Sequence, residues 1–234
     1  MSSEHDSLER INSEIVDCVR CPRLVWWREE AARHPPARYA GQPYWARPVP
    51  GFGDAGARVL IVGLAPAAHG GNRTGRIFTG DRSGDFLFPV LHQVGFANQP
   101  VSRARDDGLR LRDLYVAAVN RCAPPVNRPT PAERDNCLPY LVRELGVLRR
   151  TRVIVCLGAF AWDGALRALA AIGSEVRPRP RFGHGAEAVV GRINLLGTYH
   201  PSQQNTFTGK LTRDMFLAVF ERARTLAEAE APPR

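Results

Sequence analysis

Four short apolar runs, evenly rich in β-branched residues, constrain the fold more than any other feature of this chain. They are Arg58–Val62, Leu114–Val119, Arg152–Leu157 and Ile193–Tyr199. Helical stretches separate them, at about 83–95, 131–149 and 159–171. A last helix is expected over 210–228, with Leu211, Met215, Ala218 and Val219 as its apolar stripe. Parallel strands require long crossover connections, and such connections are usually helical. Strands alternating with helices therefore predict an α/β fold with a mostly parallel sheet covered on both faces.

The 234 residues suit one sizeable domain, taken as 1–234. Its N-terminal helices fall within 4–33. In the first, Leu8, Ile11, Ile15 and Val16 share a face, Ser7 is the cap, and Glu4 and Glu9 lie near the positive end. A turn and second helix follow in "CVRCPRLVWWREEAARH". Residues 35–57 hold five prolines and several glycines, which marks a loop long enough to be functional. The tail 229–234 is expected to fray. The N-terminus has no apolar leader core, and no apolar run approaches the roughly 20 residues of a spanning helix. A cytoplasmic, nucleoid-associated protein without a membrane partner is the expectation.

The formal net charge is +9, and Lys210 is the single lysine. Arginine matches phosphate bidentately, so the excess favours a nucleic-acid partner. GC-rich coding favours arginine too, and stands as the bland alternative.

Open α/β sheets bind ligands beyond the carboxyl ends of their strands. Those ends read "GLAPAAHG", "NRCAPPVN", "GAFAW" and "HPSQQN", and they carry most of the unusual chemistry. The first opens the glycine-rich loop "GLAPAAHGGNRTGRIFTGD", residues 63–81. It matches neither the dinucleotide fingerprint nor the P-loop, which argues against a nucleotide cofactor. Asp81 reads either as a helix cap or as a carboxylate that orients water. Phe78, exposed-looking in a polar loop, either packs on Leu87 or Val90 or offers a face to a flat ligand. His69 reads as a loop-structuring residue. His200 ends a strand just before Pro201 and is expected to point toward the crevice, with a hydrogen-bonded core histidine as the alternative. Asn127 and Asn205 are amides in loops at the same edge, where turn formation is the alternative.

Five cysteines in a reducing compartment favour metal binding or core packing over disulfides. Cys18 and Cys21 form C-x-x-C, and Cys122 and Cys137 follow far down the chain. Four such thiolates fit a zinc ion or a four-iron cluster, and the alternative leaves Cys122 and Cys137 as buried core residues. Cys156, within "VIVCLG", reads as core.

These segments resemble the family 5, or type b, uracil-DNA glycosylases, the iron–sulfur enzymes of bacteria and archaea. "GLAPAAHGGNRTGRIFTGD", "AAVNRCAPPVNRPTP" and "YHPSQQNTFTGKLTRDMF" carry the resemblance together with the four cysteines, from about residue 8 to 226. The resemblance implies a three-layer α/β/α sandwich with a four-stranded parallel sheet. It implies a [4Fe–4S] cluster held by Cys18, Cys21, Cys122 and Cys137 in a structural role, stapling the N-terminal helices to the domain. Gly63, Leu64 and Ala65 would fall in the superfamily's water-activating motif, where other families place a polar residue; the apolar side chains here shift that duty to Asp81. Phe78 would stack on the flipped base, His200 would hydrogen-bond its carbonyl oxygen, and Asn127 and Asn205 would serve base contact and catalysis. Ala118 occupies the position of the sister family's uracil-reading Asn, so selectivity is expected to widen. The implied activity is monofunctional excision of uracil and other deaminated bases, such as hypoxanthine, by a monomer acting on DNA. A non-catalytic iron–sulfur DNA-binding module is the alternative.

Overall fold

The computed structural model describes residues 6–229. Glu4 and the tail beyond residue 229 lie outside the described residues. The sheet has six strands: β1 (Phe52–Gly53), β2 (Val59–Gly63), β3 (Leu114–Ala118), β4 (Val153–Leu157), β5 (Glu187–Val190) and β6 (Ile193–Thr198), in the order β1-β3-β2-β4-β6-β5. The central four are parallel, as the sequence predicts. Two antiparallel edge strands extend the expected four-stranded sheet. Neither edge strand carries a continuous apolar run. β1 is two residues inside the proline-rich loop, and β5 alternates exposed with covered residues.

Side-chain alternation along the central strands builds two cores. Val59 and Ile61 of β2 point into one, Leu60 and Val62 into the other. The first core receives α4 (Arg82–Val94) and α8 (Arg213–Glu228); the second receives α5 (Pro131–Val147) and α6 (Ala159–Ala171). Every residue of β2, β3 and β4 is buried. Each apolar side chain so placed contributes on the order of 1.5–3 kcal/mol.

The last helix begins at Arg213 rather than 210, because Thr212 caps it by accepting from Met215 N–H at 3.2 Å. Its buried stripe is Phe216, Val219, Phe220, Ala223 and Ala227. Ala218 faces solvent, one position out of that register, and Leu211 is buried ahead of the helix. At the N-terminus, α1 (Leu8–Val16) starts after Ser7, which accepts from Arg10 N–H at 3.2 Å. α2 (Pro22–Arg33) places Cys21 at its cap and Pro22 at its first turn. Two short helices, α3 (Gly71–Thr74) and α7 (Gln203–Phe207), lie inside segments that the sequence presents as loops.

Candidate active site at the carboxyl ends of the strands

The glycine-rich loop leaves β2 pinned to its neighbour. Gly63 O accepts from Val119 N–H and Leu64 O from Asn120 N–H, both at 3.0 Å. The loop then turns back so that Phe78 lies over the end of the strand it left. A Cβ at Gly63 would stand 2.8 Å from Phe78 Cζ, so only glycine admits the ring there. Phe78 is therefore buried, at 5% exposure, and not the exposed residue its polar surroundings suggest. Its backbone adopts φ 55°, a left-handed conformation that costs on the order of 1–3 kcal/mol in a non-glycine residue. The surrounding loop must hold it there.

His200 follows β6, and its ring centroid lies 6.0 Å from that of Phe78. It is recessed beside Gly158, where an added Cβ would approach His200 Cβ to 3.4 Å. Burial lowers its pKa to about 4, so the imidazole is neutral at pH 7. Among the described residues no protein group hydrogen-bonds the ring, which leaves its N–H available. The backbone of His200 is held instead. Its carbonyl accepts from Asn205 Nδ2 and from Ser202 N–H, each at 2.8 Å. Asn205 thus grips the main chain that carries the histidine.

Asp81 is the helix cap that its place before "RSGDF" offers. It caps α4, accepting from Gly84 N–H at 3.0 Å through Oδ1. Its other oxygen faces Gly70, where a Cβ would come within 2.1 Å of Oδ2. Burial, opposed by the amides of Gly84 and Ser83 and by Arg73, raises its pKa to about 6. The carboxylate is ionised at neutral pH and protonated within reach of it.

Leu64 and Ala65 are half-buried at the loop's start, and Ala118 is fully buried in the same core as Phe78. Asn127 is exposed on a left-handed turn, φ 55°, and no hydrogen bond joins its side chain to the other site residues. His69 has the structuring role expected of it, its Nδ1 paired with Tyr44 OH at 2.9 Å. Sequence reasoning missed Arg73. Its guanidinium donates to His69 O at 2.9 Å and Gly80 O at 3.0 Å, tying the loop's middle to the residue beside Asp81. A lone arginine among the glycines of "GGNRTG" was the available signal.

Cys18 and Cys21 from the turn between α1 and α2, Cys122 from the loop after β3 and Cys137 from α5 line one small pocket with Arg20, Arg121 and Asn136. Arg28 Nη1 donates to Cys122 Sγ at 3.4 Å, Arg121 N–H to Cys137 Sγ at 3.3 Å, and Asn136 Nδ2 to Cys21 Sγ at 3.6 Å. Buried guanidinium nitrogens of Arg28 and Arg121 remain without partners beside them. Desolvation raises the Cys122 and Cys137 pKa values to about 11 and about 12, so the free thiols are protonated at pH 7. Among the described residues no three His, Cys, Asp or Glu side chains close on one metal ion. Four convergent thiols under N–H donors and cationic side chains nonetheless match the needs of a thiolate-bound, anionic group. Cys156 is fully buried in β4, away from that pocket.

A parallel sheet with a flat aromatic, a neutral histidine and a carboxylate gathered beyond its strand ends defines a class. A model of the uracil DNA glycosylase superfamily matches residues 50–224. A type-5 uracil-DNA glycosylase of Mycobacterium tuberculosis is 53% identical over 96% of this chain and 83% of its own length. One from Thermus thermophilus is 52% identical over 91% of the chain and 95% of its length, and one from Pyrobaculum aerophilum 45% over 90% and 89%. The chain belongs to the type-5 uracil-DNA glycosylases. No helix among the described residues is long and apolar enough to cross a membrane.

Proposed function

We propose that the protein excises uracil, and other deaminated bases such as hypoxanthine, from DNA by hydrolysing the N-glycosidic bond to leave an abasic site. The neutral His200 ring beside the buried face of Phe78 carries this reading. The C1′–N bond is inaccessible in stacked DNA, so the nucleotide must flip out, at a cost of a few kcal/mol that is least at mismatches. The flipped base rests against Phe78, and a ring N–H of His200 donates to its carbonyl oxygen. The glycosidic bond breaks with its electron pair leaving on the base, which departs as an anion, and a sugar cation remains. Water oriented by the Asp81 carboxylate then adds to C1′ and loses its proton to that carboxylate or to solvent. The neutral histidine supports this order, because a preorganised donor aimed at developing negative charge is worth about 10²–10³ in rate.

The position expected to read uracil is the methyl side chain of Ala118, which offers no hydrogen bond to distinguish one base carbonyl from another. That supports activity on more than one deaminated base. Turnover on matched oligonucleotides, each with one lesion base and scored as abasic sites, tests the proposal. Abasic product from both the uracil and the hypoxanthine substrate is the expected result; strict uracil specificity would remove the broader half of the reading, and no abasic product would remove all of it.

Cys18, Cys21, Cys122 and Cys137 would hold a [4Fe–4S] cluster, which when bound supplies a brace between α1, α2, the exit of β3 and α5. Brown protein with four irons per chain is the expected result. Colourless, zinc-loaded, active protein would overturn that assignment.

A further inference from the structure

The proline-rich segment between α2 and β1 takes no part in the chemistry at Phe78, Asp81 and His200, yet it is docked on the active loop. Trp45 N–H donates to Arg73 O at 2.9 Å and Ala46 N–H to Asn72 O at 3.0 Å. Arg73 Nη1 donates to Gln42 Oε1 at 3.0 Å. The segment carries two arginine–aromatic stacks. Arg38 and Arg73 lie 4.8 and 4.3 Å from the centroid of Tyr39, and Arg105 and Arg47 lie 4.7 and 5.9 Å from that of Trp45.

Both stacks connect directly to the reacting end of the site. Arg73 reaches Gly80 O, beside Asp81. Arg105 sits on a loop held to the same residue, through Gly80 N–H donating to Ser102 O at 2.9 Å. Beyond them opens a groove of about 910 Å³, lined in part by Arg47, Gly75, Arg76, Arg105 and Arg110. Arg47 is paired with Asp17 and Arg76 with Asp107. Arg38, Arg105 and Arg110 are exposed and form no ion pair among the described residues. A guanidinium laid on a ring keeps its N–H edge free and loses little entropy on binding an oxyanion. Two such cations, each on the ring of a residue that also contacts Arg73, suit successive phosphates of a phosphodiester backbone better than a single small anion.

We propose that this segment is the track for the DNA backbone flanking the flipped nucleotide, with phosphates seated on Arg38 and Arg105. The inference rests on the DNA glycosylase reading above. The test is fluorescence anisotropy of the full-length protein with labelled undamaged duplex, log Kd being followed against log salt. Each phosphate contact contributes about 0.9 to the slope, so R38A/R105A is expected to flatten it by about 1.8. R38K/R105K keeps both charges and is expected to restore the slope to within about 0.5. R150A/R192A removes the same charge at the amino ends of β4 and β6, the opposite end of the sheet, and is expected to leave the slope nearly unchanged. Equal flattening by the two alanine pairs would reduce the effect to bulk charge and overturn the track. So would an unchanged slope in R38A/R105A, which would leave the patch to an acidic protein partner. Abasic-site formation by the wild type separates the two readings: a protein that binds as predicted but releases no base refutes the catalytic reading and not the track.

Discussion

Asp81 should set the acid limb of the pH–rate profile. Burial between Gly70 and the first turn of α4 raises its pKa to about 6. If the carboxylate is the required form, about nine-tenths of the protein is active at pH 7 and about one-tenth at pH 5. The single-turnover rate on a U·G duplex should therefore fall roughly tenfold across that interval. An ordinary aspartate would stay ionised at pH 5 and give almost no decline. His200, with a pKa of about 4, stays neutral throughout and cannot supply the limb. The same shift has a consequence for stability. The folded state holds this proton more tightly than the unfolded chain, so the contribution is present in full below about pH 4 and is lost as pH rises through 6. At about 1.4 kcal/mol per pKa unit, keeping the ionised carboxylate in place costs up to about 3 kcal/mol. Asp81→Asn should be slow, lose the acid limb, and melt higher than wild type at pH 8 but not at pH 4. Quenched-flow kinetics and calorimetry measure both. An acid limb near pH 4, or one that survives in Asp81→Asn, would refute the assignment of Asp81.

Three other substitutions probe the rest of the site. His200→Ala should slow the chemical step by about 10²–10³ under single-turnover conditions, and a loss below about tenfold would mean that the base anion is stabilised elsewhere. Gly63→Val forces side-chain atoms into the Phe78 ring, so thermal denaturation should show a loss of about 1–3 kcal/mol and kinetics a loss of base excision. An unchanged melting temperature would contradict the close approach. Asn205→Ala removes one of the two donors that hold the His200 carbonyl and should cost about 1 kcal/mol in stability with a drop in kcat larger than any change in KM. A pure KM effect would instead make Asn205 a DNA-contacting residue.

The central sheet was legible because each of its strands is buried on both faces. Burial on both faces demands a continuous apolar run, and "RVLIV" or "RVIVCL" can satisfy little else. The edge strands were not legible for the converse reason. Phe52–Gly53 and Glu187–Val190 are held by hydrogen bonds to a neighbour, and a hydrogen-bonding backbone leaves no mark on side-chain composition. The cap of α4 was visible at Asp81 because capping is local, and of the stripe expected on α8 only Ala218 was misplaced, since Leu211 and Val219 are buried and Met215 packs on the core.

The sequence by itself determined the chemistry available: a carboxylate, an imidazole, an aromatic and amides, all at strand ends, and four thiols split between the N-terminal helices and the domain. Only the tertiary structure decided what those groups are. Packing against Gly63 turned Phe78 from a loop residue into a buried wall. Desolvation moved Asp81 up toward 6 and His200 down toward 4, opposite shifts from one cause, because burial disfavours whichever form is charged. Arg73 acquired its role by reaching two carbonyls of the loop, those of His69 and Gly80. Such effects depend on what lies across space from a residue, and neither its type nor its neighbours in the chain encode that.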